Sequence, residues 1–230
     1  MVEELKWDSD FFAIRVGKAI INTQKSMDDL LSQKDNLSSL YDLLYVFSKT
    51  GLELSLSNAI LIDQKVVYSL NISSPCGALN DNIIDYQSDA LSPDLVELAL
   101  ASGEFSRFKL DKNFPKDTYE KLYTCWIDQS IKHIIATEVF CYMNAGSPVG
   151  LLTLKRNGNS ATIGLVATNS KFRGRGIGRA LLTHTKNYCF NKGVNTLTVA
   201  TQLQNKPACS LYTESGFTIS QCNDIWHWWL

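Results

Sequence analysis

Several features that mark common classes of protein are missing from this sequence. Its six cysteines are scattered, with no C-x-x-C pair and no histidine at zinc-finger spacing, so no metal site is expected. There is no long apolar run and no signal peptide, which predicts a soluble, cytoplasmic protein. The net charge of −1 favours neither nucleic acid nor a membrane surface as a partner.

What is present is the composition of an ordinary globular protein. The chain has 230 residues, of which 45% are hydrophobic and 20% charged, enough for a full core in one or two domains. Because the overall charge is close to zero, any cluster of basic residues is a local feature. The informative features of this chain are therefore local motifs.

The most informative stretch is a basic, glycine-rich turn that joins a strand to a helix. Residues 163–167 are an apolar run typical of a buried strand, and residues 173–178 read R-G-R-G-I-G. Apolar residues then recur at helical spacing from Gly176 to Tyr188. Glycines allow close approach to the backbone, and N–H groups at the start of a helix point at anions. The turn therefore favours a phosphate or pyrophosphate, and a solvent-exposed turn with solubilising arginines is the alternative.

Two other phosphate-binding motifs do not fit this turn. A P-loop requires Gly-Lys-Ser/Thr after its glycines, whereas Gly178 is followed by Arg179 and Ala180. A dinucleotide fingerprint requires G-x-G-x-x-G, whereas these glycines fall as G-x-G-x-G.

A second motif follows the next predicted strand, at residues 197–200. Residues 205–217 read N-K-P-A-C-S-L-Y-T-E-S-G-F. This segment resembles the N-x-x-A-x-x-L-Y-x-x-x-G-F signature of the GNAT superfamily of N-acetyltransferases, and the R-x-x-G-x-G turn resembles that family's coenzyme A pyrophosphate loop. Since both motifs occur in the family's order, the chain is identified as a member of the superfamily.

The resemblance implies an α/β (α+β) GNAT fold, a mixed central sheet flanked by helices. We interpret residues 1–78 as an abbreviated N-terminal α/β half-domain that extends the sheet. The acetyltransferase domain would occupy residues 79–230, because Pro, Gly, Asn and Ser cluster at 73–82.

The expected elements follow from the apolar patterns. In the first half we expect a helix at 27–37 capped by Ser26, a strand at 40–47 and a pair of strands within 59–70. In the second half we expect helices from Pro93 and over 118–131, with residues 106–108 in the loop between them.

Other stretches narrow the resemblance. The opening W-D-S-D-F-F at 7–12, the S-R-F triplet at 106–108, V-A-T-Q at 199–202 and the aromatic C-terminal strand look like the dTDP-fucosamine acetyltransferase family. Those enzymes acetylate the 4-amino group of a dTDP-linked 4-amino-4,6-dideoxy-galactose. A different nucleotide, UDP, remains an alternative. The aromatic C-terminal strand is also a candidate edge for a homodimer.

The family implies a site for acetyl-CoA, without a metal, and direct attack of the sugar amine on the thioester. The residues that would hold acetyl-CoA are Leu165, Val166, Ala167, Arg173, Gly174, Arg175, Gly176, Ile177, Gly178, Arg179 and Asn205. Asn205 is equally explained as a helix cap. Tyr212 would donate a proton to the departing thiolate, because a phenol keeps its proton at neutral pH.

The acceptor side is less defined by the sequence. Arg107 could contact a diphosphate, and Trp7, Phe12 and Trp126 could line a sugar or base pocket, although such aromatics also occur in cores. His184 is expected in the core and His227 in the aromatic tail. A water chain to Asp8, Asp10 or Glu53 is a hypothesis for the base.

Two rival functions remain at this point. An acetyltransferase acting on a protein amine would need no N-terminal half-domain. A non-catalytic CoA-binding sensor would have no use for Tyr212. A nucleic-acid-binding function of the basic turn is not supported by the near-neutral charge.

Overall fold

The computed structural model describes residues 2–52, 54 and 56–230. These residues form ten strands and eight helices, so the predicted α/β class, a mixed sheet flanked by helices, is confirmed. The chain divides into two compact units. The first contains the chain up to Val66 together with Gln202–Gln204 and Gln221–Leu230, and the second contains Val67–Thr201 and Asn205–Ser220.

The first unit is a small sheet with helices. Its elements are β1 (Glu3–Glu4), α1 (Lys6–Phe12), β2 (Val16–Ile21), α2 (Gln24–Ser32), α3 (Lys34–Leu40), β3 (Leu43–Lys49), and parts of β4 (Ala59–Asn71) and β10 (Thr218–Trp229). The strand order is β1-β2-β3-β10-β4, with β2 and β3 parallel and β10 antiparallel to β3. The core is centred on fully buried Trp228, whose Nε1 donates to the carbonyl of Ser57 at 3.0 Å.

Several predictions for this unit were wrong. A capping box at Thr23 starts α2, earlier than the predicted cap at Ser26, and a second short helix, α3, follows it. The predicted pair of strands within 59–70 is the single strand β4, because nothing turns the chain there. The C-terminal strand β10 lies between β3 and β4, so it is not an edge. The homodimer itself stays a prediction.

The second unit has a larger sheet with helices. Its elements are β5 (Ile83–Asp85), α4 (Pro93–Ser102), α5 (Arg107–Leu110), α6 (Thr118–Ile131), β6 (Glu138–Asn144), β7 (Ser147–Asn157), β8 (Ser160–Thr168), α7 (Ile177–Asn191), β9 (Thr196–Gln202) and α8 (Lys206–Glu214). The order is β4-β9-β8-β7-β6-β5, and only β8 and β9 are parallel among the last five. Helix α6 has the predicted bounds. Residues 106–108, predicted as loop, cap and begin the short helix α5.

The division into domains at residues 1–78 and 79–230 stays a prediction. The two compact units of the structure have different bounds. They divide at Val66, within β4, and the C-terminal residues 221–230 belong with the first unit. The cluster of turn-forming residues at 73–82 gave no hint of this, since β4 and β10 each run through both units.

Candidate active site

The site starts where two parallel strands of the second unit separate. The pairing of β8 with β9 runs from Ser160 opposite Thr196 to Ile163 opposite Val199 and stops there. Strand β8 nevertheless continues to Thr168, still paired with β7 on its other side. Backbone groups beyond Ile163 that face β9 therefore lie on an open edge, where an extended ligand can bind them.

The hydrogen bonds of β8 show which residues face this edge. The N–H of Leu165 donates to Thr153 Oγ1 at 2.8 Å, and the N–H of Asn169 donates to the carbonyl of Val149 at 2.9 Å. Both acceptors, Thr153 and Val149, belong to β7. Backbone groups of successive residues in a strand alternate between its two edges. Of the three predicted residues, only Val166 therefore presents its backbone N–H and C=O to the open edge, while Leu165 and Ala167 face β7.

A register irregularity in β8 accompanies the separation. The pairing of β7 with β8 shifts between Leu152 and Leu154, opposite Gly164. A Cβ on Gly164 would lie 2.7 Å from Thr153 Oγ1, so glycine makes room for the hydroxyl that receives the Leu165 N–H. Such bulges bend a strand and redirect its groups.

The glycine-rich turn has the backbone of an anion site. Gly174 and Gly176 both have φ of +76°, a left-handed conformation that glycine adopts without steric cost. Gly176 is the N-cap of α7 and makes no side-chain capping bond, so the first N–H groups of the helix have no partner from its cap. A pyrophosphate fits this arrangement, since N–H groups and the helix dipole both favour negative charge.

The other glycines of the site allow close packing. A Cβ on Gly178 would lie 3.1 Å from Leu211 Cδ2, and a Cβ on Gly150 would lie 2.6 Å from Ile177 Cγ2. The start of α7 thus packs closely against α8 and against β7.

The three arginines of the turn differ in their surroundings. Arg173 lies 3.9 Å from Glu104 and donates to the carbonyl of Thr168 at 3.4 Å, both long contacts for a half-exposed side chain. Arg179 forms a close ion pair with Glu214 at 2.7 Å. Arg175 stacks on the ring of Phe172 with its guanidinium carbon 4.9 Å from the centroid. Arg173 is therefore more readily available to a phosphate than Arg179.

These elements enclose a cavity of about 490 Å³ that lies wholly within the second unit. The predicted cofactor residues at its surface are Val166, Ala167, Arg173, Gly174, Gly176, Ile177, Gly178, Arg179 and Asn205. Leu165 and Arg175, also predicted to bind the cofactor, are not among the residues that line it. The lining residues include both the glycine-rich turn and Tyr212, an arrangement that suits a ligand with an anionic end at the turn.

Tyr212 lines the same cavity from α8. Its side chain is 4% exposed and packs against the rings of Tyr68 at 5.6 Å and Phe217 at 5.9 Å. Burial, with a smaller contribution from Cys209, raises the pKa of the phenol well above its ordinary value. The hydroxyl is therefore protonated throughout the neutral range and can donate a hydrogen bond or its proton to a developing anion.

Asn205 has a structural role at the start of the same helix. Its Oδ1 accepts the N–H of Ala208 at 3.3 Å, and Pro207 follows in the first turn. The sequence left capping and cofactor binding open for this residue. The structure shows the cap and also places Asn205 at the cavity wall.

The predicted acceptor residues do not line this cavity. Trp7 and Phe12 lie on α1 in the first unit, where Trp7 is 44% exposed and stacks on Phe11 at 5.0 Å. Arg107 and Trp126 lie in the second unit, and both are close to Phe108. The Arg107 guanidinium carbon is 4.8 Å from that ring centroid, and the Trp126 ring is 6.2 Å from it, edge to face.

The two histidines and the base candidates Asp8 and Asp10 are likewise not among the residues that line the cavity. His184 packs edge to face on Phe140 and lies 3.6 Å from Asp85. His227 is fully buried in the first unit, stacked on Tyr45. Asp8 and Asp10 lie on α1, and Glu53 lies outside the described residues.

One wall of the cavity was missed by sequence reasoning. The end of α4 and the residues after it contribute Ala101, Ser102, Glu104 and Phe105. Two of these four side chains are small, and none of the four belongs to a motif recognised in the sequence. The one signal was Gly103, where a Cβ would collide with the ring of Tyr123, so the end of α4 can approach α6 only with glycine there.

Two negative findings concern the residues that the structure describes. Among them, no three His, Cys, Asp or Glu side chains come together as a possible metal site. No helix in the described part of the chain is both long and apolar enough to cross a membrane.

Comparison with known proteins agrees with this geometry. Residues 100–217, half of the chain, match the model of the acetyltransferase (GNAT) family. The chain belongs to the GNAT acetyltransferase family. GNAT acetyltransferases use acetyl-CoA, and the open edge, the glycine-rich turn and the helix N-terminus described above fit its pantetheine and pyrophosphate.

Two curated relatives are similar to this GNAT acetyltransferase. The chain is 27% identical over 227 residues to dTDP-fucosamine acetyltransferase of Escherichia coli O6:H1, covering 95% of this chain and 93% of the relative. It is 27% identical over 135 residues to the spore coat polysaccharide biosynthesis protein SpsD of Bacillus subtilis, covering 59% of this chain and 46% of that protein.

Solved structures agree on the fold of this GNAT protein. A GCN5-related N-acetyltransferase from Sphaerobacter thermophilus superposes with a TM-score of 0.62, at 13% identity, over 98% of this chain and 75% of its own. An acetyltransferase of the GNAT family from Colwellia psychrerythraea gives a TM-score of 0.54, at 16% identity, over 89% of this chain and 72% of its own. The chain is thus an N-acetyltransferase by family, and these structures share its fold.

Proposed function

We propose that this chain uses acetyl-CoA to acetylate the amino group of a nucleotide-linked amino-deoxy sugar. The best candidate is a dTDP-linked 4-amino-4,6-dideoxygalactose made for a surface polysaccharide. The observation that carries the proposal is the similarity to dTDP-fucosamine acetyltransferase over 95% of this chain, which includes the N-terminal half that lies before the matched GNAT segment. The similarity to a polysaccharide biosynthesis protein supports the same substrate class.

The cavity supports a role for its residues in binding acetyl-CoA, which supplies the activated acetyl group. The backbone N–H and C=O of Val166, on the open edge of β8, would hold the pantetheine amide groups. The left-handed backbone at Gly174 and Gly176, with the first N–H groups of α7, would hold the pyrophosphate. Arg173 would add a charge-assisted hydrogen bond to it.

Tyr212 is the proposed proton donor. Tyr212 is one of the residues that line the cavity, and burial keeps its hydroxyl protonated. The sulfur that departs from the acetyl group gains negative charge in a poorly hydrated cavity, where a positioned donor lowers the cost of that charge. No other phenol is among the residues that line the cavity.

The acceptor is proposed to be recognised with the help of the N-terminal half. The stacked pair Trp7–Phe11 on α1 offers an exposed aromatic face for a nucleotide base, with Phe12 beside it at 5.1 Å from Phe11. Arg107 is proposed to contact the diphosphate and Trp126 the sugar, because a guanidinium suits phosphate oxygens and an aromatic ring suits an apolar sugar face.

The test is release of CoA thiol with a panel of dTDP- and UDP-linked amino sugars, next to a peptide with a free amine. We expect turnover with a dTDP-linked 4-amino-6-deoxy sugar. Thiol release with the peptide alone would overturn the sugar assignment. Tight acetyl-CoA binding without turnover of any acceptor would favour the CoA-binding sensor.

The role of Tyr212 is tested in the same assay. Tyr212→Phe should lower kcat by about 10²- to 10⁴-fold, the usual contribution of a general acid, with acetyl-CoA affinity unchanged. Tyr86→Phe is the matched control, because the Tyr86 hydroxyl only donates to the carbonyl of Ala90. Equal rates in the two variants would remove Tyr212 from the mechanism.

A further inference from the structure

Lys186 is a buried cation in the middle of α7. The residue is 8% exposed, although lysine is almost never fully buried without a partner that compensates its charge. Within the described part of the chain, no carboxylate lies within ion-pair distance of its Nζ. The ammonium instead donates to the backbone carbonyl of Ser215 at 2.5 Å.

The neighbours of this ammonium are only weakly polar. Its Nζ lies 3.9 Å from the sulfur of Cys76 and 5.9 Å from the ring centroid of Phe217. The adjacent residue, Asn187, holds the backbone of Cys76 with two hydrogen bonds of 2.7 and 2.8 Å, which fixes that side of the pocket around Lys186. The carbonyl of Ser215 is therefore the principal partner of the charge.

Ser215 is the C-cap of α8, the helix that carries Tyr212. Carbonyl groups at the end of a helix lack partners within it and carry the negative end of its dipole, so a cation there stabilises the end of the helix. A buried cation does so with little screening by solvent. Lys186 thus fixes α8 at one end, as the Asn205 cap fixes the other.

The contact leads directly to Tyr212. The carbonyl of Tyr212 accepts the N–H groups of Ser215 and of Phe217, each at 3.1 Å. The ring of Phe217, which lies under the Lys186 ammonium, packs against the ring of Tyr212 at 5.9 Å. Both the backbone and the ring of Tyr212 are therefore bonded or packed to residues that Lys186 contacts.

We propose that Lys186 is a positioning residue for Tyr212: its ammonium holds the end of α8 so that the phenol stays at the cavity wall. The proposal rests on the proposed role of Tyr212 as proton donor. Lys186 does not line the cavity. Loss of the Lys186 ammonium should therefore affect the proton-transfer step more than the binding of acetyl-CoA near the start of α8.

The experiment compares Lys186→Met with Lys186→Arg and with Lys192→Met. Methionine keeps the apolar stem and removes the cation, whereas arginine keeps a cation and a donor. Lys192, at the end of the same helix, is exposed and is the matched control. For each variant we would measure kcat, KM for acetyl-CoA, acetyl-CoA affinity and amide hydrogen exchange at Ser215 and Phe217.

We expect Lys186→Met to lower kcat by about 10- to 100-fold, the effect of a misplacement of about 1 Å, with KM for acetyl-CoA unchanged. Exchange at Ser215 and Phe217 should be faster, and Lys186→Arg should recover part of kcat. Unchanged kcat and exchange in Lys186→Met would overturn the proposal. A loss of acetyl-CoA affinity as large as the loss of kcat would also overturn the proposal, because it would indicate a general loss of structure.

Two other results are also decisive. If Lys186→Met does not fold, Lys186→Arg decides. A lower kcat with unchanged acetyl-CoA affinity supports the proposal, and so does wild-type kcat with exchange as slow as in the wild type. Faster exchange at Ser215 and Phe217 with wild-type kcat overturns it. If the wild-type protein turns over no acceptor, the proposed function fails. In that case the exchange comparison between Lys186→Met and Lys192→Met still shows whether Lys186 holds the end of α8.

Discussion

Arg179 donates to the carboxylate of Glu214 at 2.7 Å, and this ion pair joins the first turn of α7 to the last turn of α8. Ser210 donates to the other oxygen of the same carboxylate at 2.7 Å. These two hydrogen bonds lower the pKa of Glu214, the larger effect coming from Ser210. Arg179 is thus held more closely within the protein than Arg173, whose contacts with Glu104 and Thr168 are longer.

The three arginines of the turn should therefore differ in their effect on acetyl-CoA. Arg173→Ala should weaken acetyl-CoA binding roughly tenfold or more, since a hydrogen bond to a charged group contributes about 1.5–3 kcal/mol. Arg179→Ala should weaken it less, and Arg175→Ala should leave it unchanged. Isothermal titration at low and high salt measures this, and the Arg173 effect should shrink with salt. If Arg175→Ala caused the largest loss of acetyl-CoA affinity among the three variants, the assignment of Arg173 to the pyrophosphate would be contradicted.

A glycine of the turn can be compared with one in a hairpin. Gly176 and Gly158 both have positive φ, with open space where a Cβ would be. Alanine at either position should cost about 1–2 kcal/mol of unfolding free energy, because an L-residue is strained in that conformation. Only Gly176→Ala should also weaken acetyl-CoA binding. Urea unfolding and titration of both variants check this, and equal affinities would exclude the turn from the site.

The bulge in β8 depends on one buried hydroxyl. Thr153→Val leaves the N–H of Leu165 without its acceptor and should lower the free energy of unfolding by about 1–3 kcal/mol. The exposed pair Thr162–Thr198 provides the control, and Thr162→Val should cost less. Chemical denaturation of the two variants gives the comparison. We also expect weaker acetyl-CoA binding in Thr153→Val alone, because Val166 follows the bulge.

The first unit should be sensitive to acid through Asp42. Arg15 donates to both carboxylate oxygens, from its guanidinium and its backbone N–H, and these bonds lower the pKa of Asp42 in the folded state. A lowered folded pKa means that the stabilisation is complete above the ordinary carboxyl value of 3.8 and is lost as the pH falls through the folded value.

The measurement is thermal unfolding of Asp42→Asn between pH 7 and pH 3. The variant should be less stable than wild type at pH 7, and the difference should narrow as the pH falls. Asp117→Asn, which breaks a pair with Lys121 on one helix face, is the control and should show a smaller difference. A difference that is constant with pH would refute the role of the Asp42 charge.

The parts of the site that the sequence predicted are those with local signals. The turn at 173–178 and the helix after Asn205 follow from glycine, capping and proline preferences that act within a few residues. The choice of Val166 over Leu165 and Ala167 was not predictable. It depends on which edge of β8 pairs with β7, and that is set by residues distant in the chain.

The errors in the fold have the same origin. The pattern of residues 59–70 was compatible with one strand or two, and only pairing along its length decides for one. Sequence patterns did not reveal the helix α1, because it has only seven residues and none of them is buried, although Trp7 and Phe11 stand at helical i,i+4 spacing. The interior place of β10 could not be read from its aromatic composition, which suits an edge as well as a core.

The place of β10 beside β3 has a consequence for how the protein is made. Trp226 donates to the hydroxyl of Ser48 at 3.2 Å, and the two residues are 178 positions apart in the chain. The ribosome synthesises β3 long before its neighbour β10, so the edge of β3 that pairs with β10 stays unpaired while the second unit is synthesised, although β2 can already pair with the other edge. Fragments that stop before residue 221 should therefore leave β3 exposed to aggregation or chaperones, even where the cavity of the second unit is intact.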